Sequence, residues 1–254
     1  MAILPLADNN PLRHIAGAYV TWAILGACVG VFLYQLSLTD RAQVIFVHAY
    51  GAIPAVVLGD ARLPPVLASI PGRATLVSSM FLHGGFMHLA GNMLFLWVLG
   101  DNVEDALGHR RYILFYGICG VLAALTHGLI DPASKLPMIG ASGAISGIIG
   151  AYIILHPRAP IKTLVWWFII ELPAWVVLGV WIGFQFFSVF MTSGGVGGGV
   201  AWWAHIGGLA IGMALIIPMR RSGVPLFDRN MPAQAHRGPR ITMRPGPWNR
   251  NRHR

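Results

Sequence analysis

The sequence predicts an all-α polytopic membrane protein with six transmembrane helices. Three observations carry this. Of 254 residues, 56% are hydrophobic and only 11% charged, whereas soluble domains carry about 25% charged residues. The mean hydropathy is +0.64. Six apolar stretches recur along the chain, each near the ~20 residues that cross a bilayer.

The elements follow in order. Residues 1–14, "MAILPLADNNPLRH", form a short, partly polar N-terminal segment. The apolar run after it is long enough to span rather than to be removed as a signal peptide. The first span is read at residues 15–36. The connection 37–82 carries apolar patches such as "VIFVHAYGAIPAVVLG" with Gly and Pro breaks, and is read as a loop lying in the membrane interface. The second span is read at 86–99, the third at 112–130 and the fourth at 138–155. The fifth falls within 164–191, where Glu171 and Pro173 interrupt it, and the sixth is read at 200–218. Residues 15–218 thus form one membrane domain. Residues 219–254 are rich in Arg, Pro and Gly with Asp228 as their single acid; such a tail lacks a core-forming pattern and is expected to be disordered.

Lys and Arg set the orientation. With six spans, Arg13, Arg110, Arg111, Arg158, Lys162 and every basic residue from Arg220 on share one side, against Arg41, Arg62, Arg73 and Lys135 on the other. Both termini are therefore expected in the cytoplasm. The tail supplies most of the net charge of +9. Its expected partner is the anionic headgroup surface, at about 1 kcal/mol per basic residue, rather than nucleic acid. Cys28 and Cys119 both lie in apolar runs and give neither a disulfide framework nor zinc spacing. No metal or cofactor is expected.

Polar groups inside spans are costly and therefore candidate functional residues. His83, His88 and Asn92 gather at the start of the second span, Ser142 near the start of the fourth and His205 near the start of the sixth. These spans run the same way, so their starting ends lie on one side, the non-cytoplasmic one. His88 and Asn92 are four apart and share a helix face. A serine hydroxyl becomes a nucleophile when a neutral imidazole takes its proton, and Ser142 with His205 supplies that pair. The Asn92 amide, a ring N–H of His88 and the Ser142 backbone N–H can donate to an oxyanion. No intramembrane Asp or Glu offers itself as a third member, which leaves His205 oriented by packing.

Small residues provide the packing. Ser142, Ser146 and Gly150 step by four, as do Gly143, Gly147 and Ala151, and Ala204, Gly208 and Gly212 on the sixth span. Such small-xxx-small faces let backbones approach closely. Ser146 is read as packing; a serine in a membrane helix commonly back-bonds to the carbonyl four residues earlier, which is the rival reading of Ser142. His127 and His156 read as interfacial residues near span ends.

The segments "HGGFMHLAGNMLFLWVLGDNVEDALG", "GASGAISG" and "AHIGGLAIG" together resemble the rhomboid intramembrane serine proteases over residues 75–218. The resemblance implies a rhomboid-like six-helix bundle that hydrolyses peptide bonds in or beside transmembrane segments. By position Ser142 resembles the family's nucleophile and His205 its general base. His88 and Asn92 resemble its oxyanion residues, and His83 a nearby supporting histidine. Glu104 with Gly108 matches a family turn. Some members carry an aromatic four residues after the nucleophile, packed near the histidine; here that residue is Ser146. The implied partners are single-span membrane proteins, reaching the site sideways between the fifth and second spans. The implied location is a bacterial inner membrane. The rival readings are a rhomboid-like protein that binds membrane helices without cutting them, and a transporter, which would show inverted repeats.

Overall fold

A computed structural model describes residues 3–59, 61–192 and 200–228. The elements in chain order are β1 (Ile3–Asp8), α1 (Tyr19–Ser37), α2 (Asp40–Tyr50), α3 (Pro54–Val57), α4 (Thr75–Ser78), α5 (Phe86–Leu107), α6 (His109–Ile130), α7 (Ser142–Leu155), β2 (Pro160–Val165), β3 (Phe168–Pro173), α8 (Ala174–Met191) and α9 (Trp202–Met219). Among the described residues four helices, α1, α6, α8 and α9, are long and apolar enough to cross a membrane, and a bent pair, Gly72–Phe81 with α5, makes a fifth candidate with an 81° break. The connection between α1 and α5 is therefore partly helical.

Helix α7 lies at the centre. It has 14 residues, about 21 Å of helix, which is short of the ~30 Å hydrocarbon layer. Every residue from Ala144 to Tyr152 is buried. The expected fourth span began at residue 138, but Met138 instead pairs with Ala52 in an isolated β-bridge. The helix starts only at Ser142, so Ser142 is recessed within the bundle. The glycine faces do what their spacing implies. A Cβ at Gly212 would run into the Gly147 carbonyl, one at Gly208 into the Gly143 carbonyl, and one at Gly150 into the Leu209 carbonyl. Helices α7 and α9 thus meet backbone to backbone.

Helix α5 runs eight residues past the expected end of the second span, to Leu107. Gly108, at φ +78°, then turns the chain directly into α6. In the last turn of α5 the fully buried Glu104 accepts from the N–H groups of Val20 (3.0 Å) and Thr21 (2.8 Å), from the Thr21 hydroxyl (2.7 Å) and from His109 Nδ1 (2.5 Å). It holds the free N–H groups at the start of α1, which a helix end inside a bundle needs.

The all-α expectation requires one correction. β1, β2 and β3 form an antiparallel three-stranded sheet in that order. Residues 164–173 read as the front of an apolar span, yet Pro160 and Pro173 bound two runs rich in β-branched residues, and Val165 pairs with Phe168 across a two-residue turn. The sheet stands at the end of the bundle where α7 stops and α8 begins. The expected tail is also held at its start: the N–H groups of Arg221, Phe227 and Asp228 donate to the carbonyls of Ala106, Ile154 and Leu155. The expectation of disorder beyond this point concerns residues 229–254, outside the described residues.

Candidate active site

The starts of α5, α7 and α9 converge on one cavity of about 850 Å³ whose lining includes His88, Asn92, Ser142, Trp181, Gln185 and His205. The approach to Ser142 is shaped by Gly140, at φ +121°, where a side chain would be strained. A Cβ there would also come within 2.8 Å of His88 Nε2. Gly140 therefore lets the loop pass under the imidazole before α7 begins.

Ser142 is the first residue of α7, so its N–H has no partner within the helix. Its hydroxyl lies 2.8 Å from His205 Nε2. The Ser146 hydroxyl donates to the Ser142 carbonyl at 2.7 Å and is fully buried; it faces the helix and not the cavity. A second, small cavity of about 40 Å³ borders Ser142, lined in part by Ser79, Gly140 and Ala204. That is room for about one water.

Sequence reasoning missed the other partner of His205. Its Nδ1 lies 2.9 Å from Gln185 Oε1, where packing alone was expected to orient the ring. Gln185 is buried in α8, and its Nε2 donates to the Trp181 carbonyl at 3.1 Å. Trp181 and Trp202 flank the imidazole at ring-centre distances of 6.0 and 5.9 Å. The signal was present: Gln185 is a polar residue in an apolar span, under the same rule that singled out the histidines.

On the facing wall, Asn92 is buried and lines the cavity, and among the described residues its Nδ2 has no hydrogen-bond partner. The Gly84 N–H donates to His88 Nδ1 at 3.3 Å, which leaves Nε2 as the protonated nitrogen of a neutral His88. His83 is fully buried and is not among the cavity-lining residues. The Gln35 side chain clasps its backbone N–H and carbonyl, both at 3.1 Å, and its ring lies edge-on to His88 at 5.3 Å. His83 thus supports the His88 wall from behind. Among the described residues no three His, Cys, Asp or Glu side chains gather as a metal site. The arrangement provides a hydroxyl, an imidazole able to take its proton, and amide and imidazole N–H donors across the same cavity.

The model of the Rhomboid domain family matches residues 72–222. The chain is 30% identical to Rhomboid protease GlpG of Klebsiella pneumoniae subsp. pneumoniae over 207 residues, covering 80% of this chain and 64% of that protein. It is 30% identical to Rhomboid protein 1, mitochondrial, of Saccharomyces cerevisiae over 151 residues, covering 57% and 41%. It is 39% identical to RHOMBOID-like protein 5 of Arabidopsis thaliana over 79 residues, covering 31% and 26%. The chain therefore spans less than two thirds of the length of each of these relatives.

Proposed function

Because the chain belongs to the rhomboid family, we propose that this multi-pass integral membrane protein is a serine endopeptidase that cleaves peptide bonds in or beside transmembrane segments. The observation that carries the reading is the 2.8 Å contact between Ser142 Oγ and His205 Nε2 inside a cavity that also holds Asn92 and His88. His205 Nε2 takes the Ser142 proton as Oγ attacks the scissile carbonyl. The oxyanion receives hydrogen bonds from Asn92 Nδ2, His88 Nε2–H and the Ser142 N–H. His205 then gives the proton to the leaving amine, which departs and leaves an acyl-Ser142 ester. Water attacks that ester with His205 again as base, and serine is restored as the carboxylate product leaves.

Six crossings fit this reading: α1, the bent pair ending in α5, α6, the short α7, α8 and α9. Both termini lie in the cytoplasm of a bacterial inner-membrane protein, and the site opens toward the opposite side. Substrates are single-span proteins that enter from lipid between α5 and α8. At that seam the Phe95 and Trp181 rings meet at a centre distance of 6.0 Å. The basic tail contacts anionic headgroups. In the test, the purified protein is reconstituted in lipid with a panel of single-span proteins, beside Ser142→Ala. Cleavage by the wild type alone is expected; binding without cleavage by both would favour a helix-binding protein instead.

A further inference from the structure

We propose that Gln185 is the positioning residue of the base, holding His205 in the one tautomer that can accept the serine proton; the proposal rests on the protease reading above. A neutral imidazole carries one proton, and its two nitrogens compete for it. Here the competition is decided by α8. The Gln185 amide has two ends, and its Nε2 end is committed to the Trp181 carbonyl, 3.1 Å away within the same helix. A carbonyl accepts only, so the amide cannot be turned round without losing that bond. Its Oε1 end then faces His205 Nδ1 at 2.9 Å. An amide oxygen also accepts only, so Nδ1 must hold the proton. Nε2 is left bare toward Ser142 Oγ at 2.8 Å. The chain of donors runs Ser142 hydroxyl to His205 Nε2, His205 Nδ1–H to Gln185 Oε1, and Gln185 Nε2–H to the Trp181 carbonyl.

Burial gives the arrangement its force. Gln185 is 3% exposed, and the Trp181 and Trp202 rings stand against the imidazole. Water is a poor substitute for Oε1 there. Without that acceptor, a protonated Nδ1 loses its partner, and the ring gains by moving the proton to Nε2. That nitrogen then donates to the serine oxygen instead of accepting from it. A neutral amide does the orienting without placing a charge in the membrane interior, where charge is costly.

The experiment compares wild type, Gln185→Met and Gln185→Glu in lipid. Met keeps the volume and removes the acceptor; Glu keeps an acceptor. Gln185→Met should lower kcat about 10- to 100-fold with KM little changed, and Gln185→Glu should recover most of the loss. The direct readout is the His205 tautomer from 15N-histidine spectra, with its signals identified by their absence in His205→Gln. Wild type should show a protonated Nδ1, and Gln185→Met a shift toward protonated Nε2. An unchanged His205 tautomer in Gln185→Met, whether kcat falls or not, or an unchanged kcat would overturn the assignment. If wild type cleaves no more than Ser142→Ala, the protease reading fails, and the tautomer spectra still decide the role of Gln185.

A second, independent observation concerns the β2–β3 hairpin. We infer that its tip inserts into the interfacial layer of the leaflet beside the start of α8. Trp167 is 83% exposed and Phe168 71%, and Trp166, Ile169 and Ile170 are exposed as well. Along a strand alternate residues point to opposite faces, so Phe168 and Ile170 share one apolar face, while the other carries Ile169 and Leu164 near the tip and the Glu171–Lys162 pair nearer the base. A sheet meeting water is polar on at least one face. Here only the tip is apolar on both faces, as an element dipping its end into a fluid apolar medium requires, while the charged pair stays toward the base. The hairpin is tied to the base of α8, where the Ala174 and Trp175 N–H groups donate to the carbonyls of Ala159 and Pro157, each at 2.9 Å. It therefore leaves the bundle where a membrane-crossing helix begins, and exposed tryptophans belong at that depth. Trp166 adopts φ +57°, a costly conformation for a bulky residue, and the turn presents both indoles outward.

The test places an environment-sensitive fluorophore on Trp167→Cys, in protein with Cys28 and Cys119 replaced, in vesicles of brominated phosphatidylcholine. Strong quenching by lipid brominated near the headgroup, with protection from aqueous iodide, is expected. Iodide quenching without lipid quenching would overturn the inference. So would protection from both with cross-linking between two copies.

Discussion

Ser142 Oγ and His205 Nε2 are 2.8 Å apart although 63 residues separate them in sequence. The contact exists because α7 and α9 touch at their backbones below it, where Gly147 faces Gly212 and Gly143 faces Gly208. Neither side chain is long, so any residue that pushes these helices apart parts the pair.

Gly212→Ala should therefore destabilise the bundle by about 1–3 kcal/mol, the usual cost of overpacking a filled core, and sharply reduce cleavage. Gly183→Ala is the control, since an added Cβ there meets nothing within 4 Å. Thermal unfolding in detergent and cleavage in lipid, measured on both variants, separate the two cases. Equal behaviour of the two would mean that close approach of α7 and α9 does not set the site.

Asn92→Ala should lower kcat by about 10²–10³ with KM little changed, because an oxyanion donor acts on the transition state. The unpartnered Nδ2 of the resting cavity is the group that would be lost. Steady-state kinetics on one membrane substrate check this, and a rise in KM at constant kcat would assign Asn92 to substrate binding instead.

Phe95→Ala should speed cleavage of membrane-embedded substrates. One aromatic pair contributes about 0.5–1.5 kcal/mol, so removing the Phe95 ring from Trp181 shifts the seam toward its open form by up to about tenfold. Phe184, the other bulky residue of α8 near the cavity, pairs with Trp202 of α9 and does not close this gap. Unchanged or slower cleavage by Phe95→Ala would argue that substrates enter elsewhere.

Burial pushes the Asp8 carboxyl up to about 7, partly offset by the hydrogen bond it accepts from the Tyr152 hydroxyl at 2.6 Å, while nearby Asp101 adds to the rise. The ordinary value is 3.8, so between about 4 and 7 the folded protein binds more protons than the unfolded chain at this site. Asp8 thus stabilises the fold fully below about 4, and that contribution is lost as pH rises through about 7. Relative to wild type, Asp8→Asn should gain thermal stability between pH 5 and pH 8. An identical pH dependence in the two proteins would show that Asp8 titrates normally.

Much of the site was legible because polar residues in apolar spans have few reasons to exist. Ser142, His205, Asn92 and His88 each carried that signal, and the glycine spacing said which helices would meet. Gln185 carried it too, but a search for acids and bases passes over a neutral amide. The sheet was hidden for a different reason. "TLVWWFIIELPAWVV" is apolar but for Thr163 and Glu171, and such a run reads alike as a span or as exposed strands leading into one. Only the prolines at 160 and 173 and the β-branched content distinguish them. The shortness of α7 was not legible either, since residues 138–141 are as apolar as the helix they precede. Their path outside the helix follows from the pairing of Met138 with Ala52 and from the Gly140 turn.

The central claim is that Ser142 is a nucleophile activated by His205. It is tested most directly by treating the folded protein in lipid with a fluorophosphonate and locating the modified residue by mass spectrometry. The expected adduct is on Ser142, absent from Ser142→Ala, strongly reduced in His205→Ala and retained in Ser146→Ala. An adduct on Ser146, or labelling that persists undiminished in Ser142→Ala or His205→Ala, would contradict it.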